Sequence, residues 1–146
     1  MNTVTINAES VSLPSWTDEI ETFIQRALAT LGKDKWDLSI LFCDDTYMQA
    51  LNGRFRDKDE ATDVLSFALG EWDGDRYLPG DIAISLDTLK TNAACFGVSE
   101  GEEVRRLLVH GILHLDGMDH TGYLGGGDEP MLLLQEKILA ALGSTR

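Results

Sequence analysis

SEGEEVRRLLVHGILHLDGMDH, residues 99–120, is the stretch on which the reading of the fold turns. Its first four residues, Ser99-Glu-Gly-Glu102, match a capping box. The serine hydroxyl can accept from the backbone of the third helical residue, and the Glu102 carboxylate can reach back to the serine. Val104, Leu107, Leu108, Gly111, Ile112 and Leu115 follow at helical spacing and give the helix an apolar stripe. A helix anchored in a core is therefore expected over about 100–116. Gly111 costs such a helix about 1 kcal/mol relative to alanine, and its presence predicts close approach of another backbone.

All three histidines of the chain, His110, His114 and His120, fall in this stretch, as H-x-x-x-H-x-x-G-x-x-H. Four residues of helix turn through about 400°, so His110 and His114 share one face, about 6 Å apart. That separation suits two imidazoles binding one metal ion. Gly117 stands where helices commonly end in a left-handed residue, and a turn there can bring His120 to the same ion. Three neutral imidazoles leave a coordination position for water, the pattern of a catalytic zinc site at the end of this helix.

Working outward, Thr3–Asn7 alternates as a short strand, and Thr17 is placed to cap a helix whose apolar face is Ile20, Phe23, Ile24, Ala27, Leu28 and Leu31. Trp36 to Cys43 reads as a second strand, apolar enough in its Ile-Leu-Phe-Cys run for burial on both faces. Asp44 or Asp45 caps a helix over about 46–53, ending at Asn52-Gly53. Asp63 to Ala68 is a strand candidate. Residues 70–80, rich in Gly, Asp and Glu and holding Pro79, read as a loop. Gly80–Ser85 is a fourth strand, and a helix follows over about 86–96, stopping at Gly97. Asp128 caps a last helix with Leu132, Leu133, Ile138 and Leu142 among its apolar residues. The expected fold is α+β: one domain over 1–146, with a mixed sheet of about four strands flanked by about five helices.

A chain of 146 residues is long enough for a core without staples. No run approaches the ~18 apolar residues of a membrane span, and the first residues show neither a basic region nor an apolar stretch. Cys43 and Cys95 stand apart and outside metal-like spacing. Both are expected to be buried reduced thiols, which points to the cytosol. The net charge is −13, the opposite of a nucleic-acid binder's basic footprint. Any polyanion must be met locally, by Arg54, Arg56 and Lys58 or by Arg105 and Arg106.

Several blocks together resemble a known family. HGILHLDGMDH (110–120) is similar to the H-G-x-L-H-L-x-G-x-D-H motif of the YbeY family, bacterial metal-dependent endoribonucleases of ribosomal RNA maturation and small-subunit quality control. Phe55-Arg56 through Asp59, Thr62–Phe67 and Gly80–Ser85 resemble that family's other recurring blocks. The resemblance covers roughly residues 40–120. It implies that His110, His114 and His120 bind one zinc ion per chain, and that Arg56 and His114 are catalytic. It further implies a nuclease specific for single-stranded RNA, acting in 16S rRNA 3′-end maturation. Its partners would be rRNA and the small ribosomal subunit with its proteins, in the cytoplasm, with no role for DNA or membrane. The family often has proline where this chain has Ala61 and Ala68, and an aromatic residue at Met118. Asp116 adds a negative charge near a site that would receive phosphate.

On its own surroundings Arg56 reads as a surface arginine paired with Asp57 or Asp59; the phosphate-directed role comes from the resemblance. Asp63 and Asp119 read equally as groups orienting a ligand histidine and as turn caps. Metzincin proteases share the histidine spacing but carry glutamate as general base after the first histidine. Here that position is Gly111, which cannot take a proton, and proton transfer is typically worth 10²–10⁴-fold. The strongest alternative is a ribosome-assembly binding factor with structural zinc and little nuclease activity. The acidic charge favours it modestly, since basic ribosomal proteins would suit this surface better than free RNA.

Overall fold

A computed structural model describes residues 1–56, 64–117 and 129–142. The elements run β1 (Thr3–Ala8), α1 (Thr17–Thr30), β2 (Asp37–Cys43), α2 (Asp45–Arg56), β3 (Val64–Asp73), β4 (Arg76–Ser85), α3 (Leu86–Phe96), α4 (Glu100–Leu115) and α5 (Glu129–Ala141). The strands form one mixed sheet in the order β1-β2-β4-β3. β1 and β2 are parallel, as are β2 and β4, with Ile40 beside Ile82. β3 lies antiparallel on the outer edge of β4, pairing Leu65 with Ala83. The α+β class, and the four strands and five helices among the described residues, are as expected.

The period of two along β2 sorts its residues between two layers. Leu38, Ile40 and Phe42 are buried and point to one face, where they meet Ile20, Ile24 and Leu28 of α1 and Leu108 and Ile112 of α4. Ser39 and Leu41 point the other way and are only half-buried, so β2 is not buried equally on both faces. There α2 covers one end of the sheet, through Met48 against Cys43, Leu65 and Ala83. A third cluster joins α5 to α1 and α4, with Ile138 and Leu139 packed on Phe23, Val109 and Leu113. α4 is thus held by the sheet, α1 and α5 together. Leu133, expected on the apolar face of α5, is instead 65% exposed; the Asp128 cap lies outside the described residues.

Several local expectations change. Residues 70–80 are a hairpin rather than a loop. Asp73 pairs with Arg76 across a two-residue connection, and Gly74 supplies the positive φ that such a turn needs, at 66°. The polar residues that suggested a loop sit on the exposed half of an edge strand. Pro79, which has no N–H, falls opposite the bulge between Ala68 and Glu71, where the ladder is already interrupted. Trp72 and Tyr77 meet across the pair with their rings tilted at 59°, 5.1 Å between ring centres.

Thr17 does not cap α1 but begins it, its hydroxyl donating to the Pro14 carbonyl at 2.7 Å. α2 runs through Gly53 to Arg56, three residues beyond the expected stop; one glycine's cost of about 1 kcal/mol does not end a helix started by a good cap. That cap is Asp44, whose Oδ1 accepts from Tyr47 N at 2.8 Å. Cys43 is buried, and burial beside Asp44, Asp45 and Asp87 pushes its thiol up to about 12. Cys95, expected to be buried, is exposed on α3. No helix among the described residues is long and apolar enough to cross a membrane.

Candidate metal centre

α4 begins as its sequence requires. Glu102 N donates to Ser99 Oγ and Ser99 N to Glu102 Oε1, both at 3.0 Å, closing the capping box. Glu100, Glu102 and Glu103 occupy the first turn, where negative charge meets the positive end of the helix dipole. Arg106 is engaged by the buried Glu103, through Nε at 3.1 Å and Nη2 at 2.6 Å. The Arg105 guanidinium lies over the Phe23 ring, 5.7 Å from its centre. Both guanidinium groups thus have partners within the protein that fasten α4 to its surroundings.

One turn before its end, α4 presses on the sheet at Gly111. A Cβ built there would stand 2.9 Å from Ile82 Cδ1. The close neighbour is thus a side chain of β4 and not another backbone, as the glycine alone had suggested. Position 111 faces the core. A glutamate there would be driven against Ile82, so this helix cannot carry the protease base.

His110 and His114 stand half-buried on a different side of α4. Their Nε2 atoms approach to 3.2 Å, with the rings steeply inclined at 73°. His110 Nδ1 is 2.9 Å from Oε1 of Gln135 on α5. Gln135 is 1% exposed and shares the buried side of α5 with Ile138, Leu139 and Leu142. Its Nε2 reaches Glu136 Oε2 at 3.4 Å. Gln135 was not among the residues singled out from sequence. The available signal was a polar residue in phase with the apolar stripe 135, 138, 142; its partner lies 25 residues away.

Beyond Leu115 the helix closes. Gly117 takes φ 95°, and its N–H donates to the His114 carbonyl at 3.0 Å. α4 therefore ends directly after the histidine pair, with a positive-φ glycine at the position the sequence marked for it. Asp116 is neutralised by Lys33, Nζ to Oδ1 at 2.7 Å between partly shielded side chains. Lys33 thus sets a positive charge against the negative one that Asp116 adds. His120, Met118, Asp119, Thr62 and Asp63 lie outside the described residues, as does the Arg56 side chain; Arg56 itself is the last residue of α2.

The donor set fits zinc as far as it is described. Two imidazole nitrogens bound tetrahedrally to one Zn²⁺ at about 2.05 Å stand roughly 3.3 Å apart. The observed 3.2 Å needs no rearrangement of the helix. A histidine ligand ordinarily donates its second ring N–H to an acceptor, and Gln135 provides one for His110. Among the described residues no group of three or more such ligands is assembled.

Fold and site together define a class: a mixed α+β sheet domain with a helix-borne histidine pair aimed at a common point. Comparison with known proteins makes the class specific. The family model described as Endoribonuclease YbeY matches residues 3–143. The Endoribonuclease YbeY of Treponema denticola is 48% identical over 125 residues, 82% of this chain and 79% of that protein. That of Treponema pallidum (strain Nichols) is 41% identical over 145 residues, 96% and 89% of the two chains. The solution structure of TM1509 from Thermotoga maritima shares the fold, with a TM-score of 0.67 at 24% identity over 96% of this chain and 89% of that one. The chain belongs to the YbeY family.

Proposed function

We propose that this protein is a zinc-dependent endoribonuclease that hydrolyses phosphodiester bonds in single-stranded RNA. The observation that carries the reading is the convergence of the His110 and His114 Nε2 atoms to 3.2 Å, in a chain of the YbeY family. His110, His114 and His120 would hold one zinc ion, which would supply Lewis acidity toward a phosphate oxygen. Arg56 would bind the phosphate through two guanidinium N–H groups and stabilise charge as it develops. Lys33 holds the Asp116 charge in an ion pair, which lowers repulsion of an approaching phosphate. Gly111 can neither give nor take a proton, so proton transfer falls to a group other than the one the proteases use.

The substrate in this reading is ribosomal RNA, in maturation of the 16S 3′ end and quality control of the small subunit in the cytoplasm. A net charge of −13 opposes long-range attraction to free RNA. It supports recruitment through basic ribosomal proteins, with the RNA engaged locally. The same charge favours the second reading, an assembly factor whose zinc is structural.

Cleavage of a labelled single-stranded RNA by wild type, Arg56→Ala and His114→Ala tests the choice. Hydrolysis is expected to fall at least 10²-fold in each variant. Full activity in His114→Ala sinks the metal mechanism. No cleavage by wild type under any divalent metal, with binding to small subunits retained, establishes the assembly-factor reading instead.

A further inference from the structure

Gln135 is the one buried polar side chain of α5 among the described residues, and it touches His110 directly. Its amide has two possible orientations, and the neighbours choose between them. Glu136 offers a carboxylate, which only accepts. Turning the amide over would set Oε1 against that carboxylate, acceptor to acceptor. With Nε2 toward Glu136, Oε1 faces His110 Nδ1, and a carbonyl oxygen there requires an N–H. Gln135 is 1% exposed, so the carbonyl must find its donor within the protein.

We infer that Gln135 is a positioning residue: it holds His110 as its Nδ1–H tautomer, with the Nε2 lone pair aimed at the point shared with His114. Histidine in water favours the opposite tautomer, so α5 sets a preference that α4 alone does not have. The neutral amide does this without adding a charge. In the metal-free pair His114 Nε2–H then donates to His110 Nε2 across 3.2 Å. α5 is thereby part of the site, through a side chain that orients a histidine of α4. The consequence for metal affinity rests on the proposed zinc site; the tautomer does not.

The test uses the full chain, ¹⁵N-labelled and chelator-treated, at pH 8. Long-range ¹H–¹⁵N spectra report ring tautomers, and with three histidines a His110→Ala spectrum assigns the signal. Wild-type His110 is expected as Nδ1–H. Gln135→Leu, which removes the acceptor, shifts it toward Nε2–H, whereas Gln135→Glu retains Nδ1–H. Zinc affinity, read by competition with a chromophoric chelator, falls about 10–100-fold in Gln135→Leu and stays near wild type in Gln135→Glu. The inference is overturned by Nε2–H at His110 in wild type, or by unchanged tautomer and affinity in Gln135→Leu. Should Gln135→Leu not fold, the wild-type and Gln135→Glu spectra decide. Failure of wild type to take up zinc refutes the metal site instead, and the tautomer spectra still decide the role of Gln135.

Discussion

Gly111→Ala sets two opposed effects against each other at the place where α4 meets the sheet. Alanine gains about 1 kcal/mol of helix propensity over glycine. The added methyl would lie 2.9 Å from Ile82 Cδ1 and 3.2 Å from both Cγ1 and Cγ2. Ordinary carbon contacts begin near 3.5 Å, so these are short by roughly 0.6 and 0.3 Å. Cδ1 can swing aside about χ2. The two γ carbons cannot, because they are fixed to Cβ and χ1 of a β-branched residue is stiff. Ile82 is fully buried on a central strand, so α4 must lift by a few tenths of an ångström. Overpacking of this kind costs typically 1–3 kcal/mol. The contact wins, and the variant is expected to be less stable by about 1 kcal/mol. With an m-value of about 2 kcal/mol/M, the urea midpoint of the metal-free protein drops by about 0.5 M. Ile82→Val removes the nearest carbon at its own cost of about 0.5–1.5 kcal/mol, and on that background the alanine should cost less, by about 0.5 kcal/mol. A Gly111→Ala protein as stable as wild type, at unchanged m-value, refutes the packing argument.

Other expectations follow from single contacts. Arg106→Ala leaves the buried Glu103 carboxylate without its partner and should cost about 1–3 kcal/mol in chemical denaturation, with Arg106→Lys between it and wild type. At pH 8 native protein should be alkylated at Cys95 only, since the Cys43 thiol titrates near 12 and is buried; mass spectrometry of iodoacetamide-treated protein showing Cys43 modified before unfolding contradicts this. Chelator should abolish RNA cleavage while leaving most of the far-ultraviolet helical signal, because α4 is held on the sheet, α1 and α5 by apolar side chains. Global unfolding on chelation would instead mark the metal as structural.

What could be read ahead in the sequence was what local chemistry decides. The Ser99–Glu102 capping box, the stripe of α4 and the left-handed Gly117 are each written within a few residues, and all three were legible. The 70–80 hairpin was not. Its turn residues were visible, but an edge strand with one exposed half lacks the apolar alternation that reveals a strand. Thr17 looked like a cap because it precedes the periodic apolar residues, but the helix already includes it, and its hydroxyl donates back to the Pro14 carbonyl. Gly111 announced close packing, but only the fold names Ile82 as its neighbour. Of the site, the geometry of His110 and His114 was implicit in a four-residue spacing. The Gln135 contact and the Lys33–Asp116 pair were not, because each joins segments far apart in the chain. His120 and the Arg56 side chain lie outside the described residues; the role of His120 rests on its spacing and the resemblance, that of Arg56 on the resemblance alone.

The central claim is that the histidines hold a metal which the chain uses on RNA. The most direct test strips the protein of metal, titrates zinc back, and follows cleavage of a single-stranded RNA together with zinc bound per chain. Cleavage is expected to rise in step with zinc and saturate at one ion per chain, and His110→Ala and His114→Ala are expected not to regain it. Cleavage that is undiminished in metal-free protein, or that His110→Ala and His114→Ala recover in full, would contradict the claim.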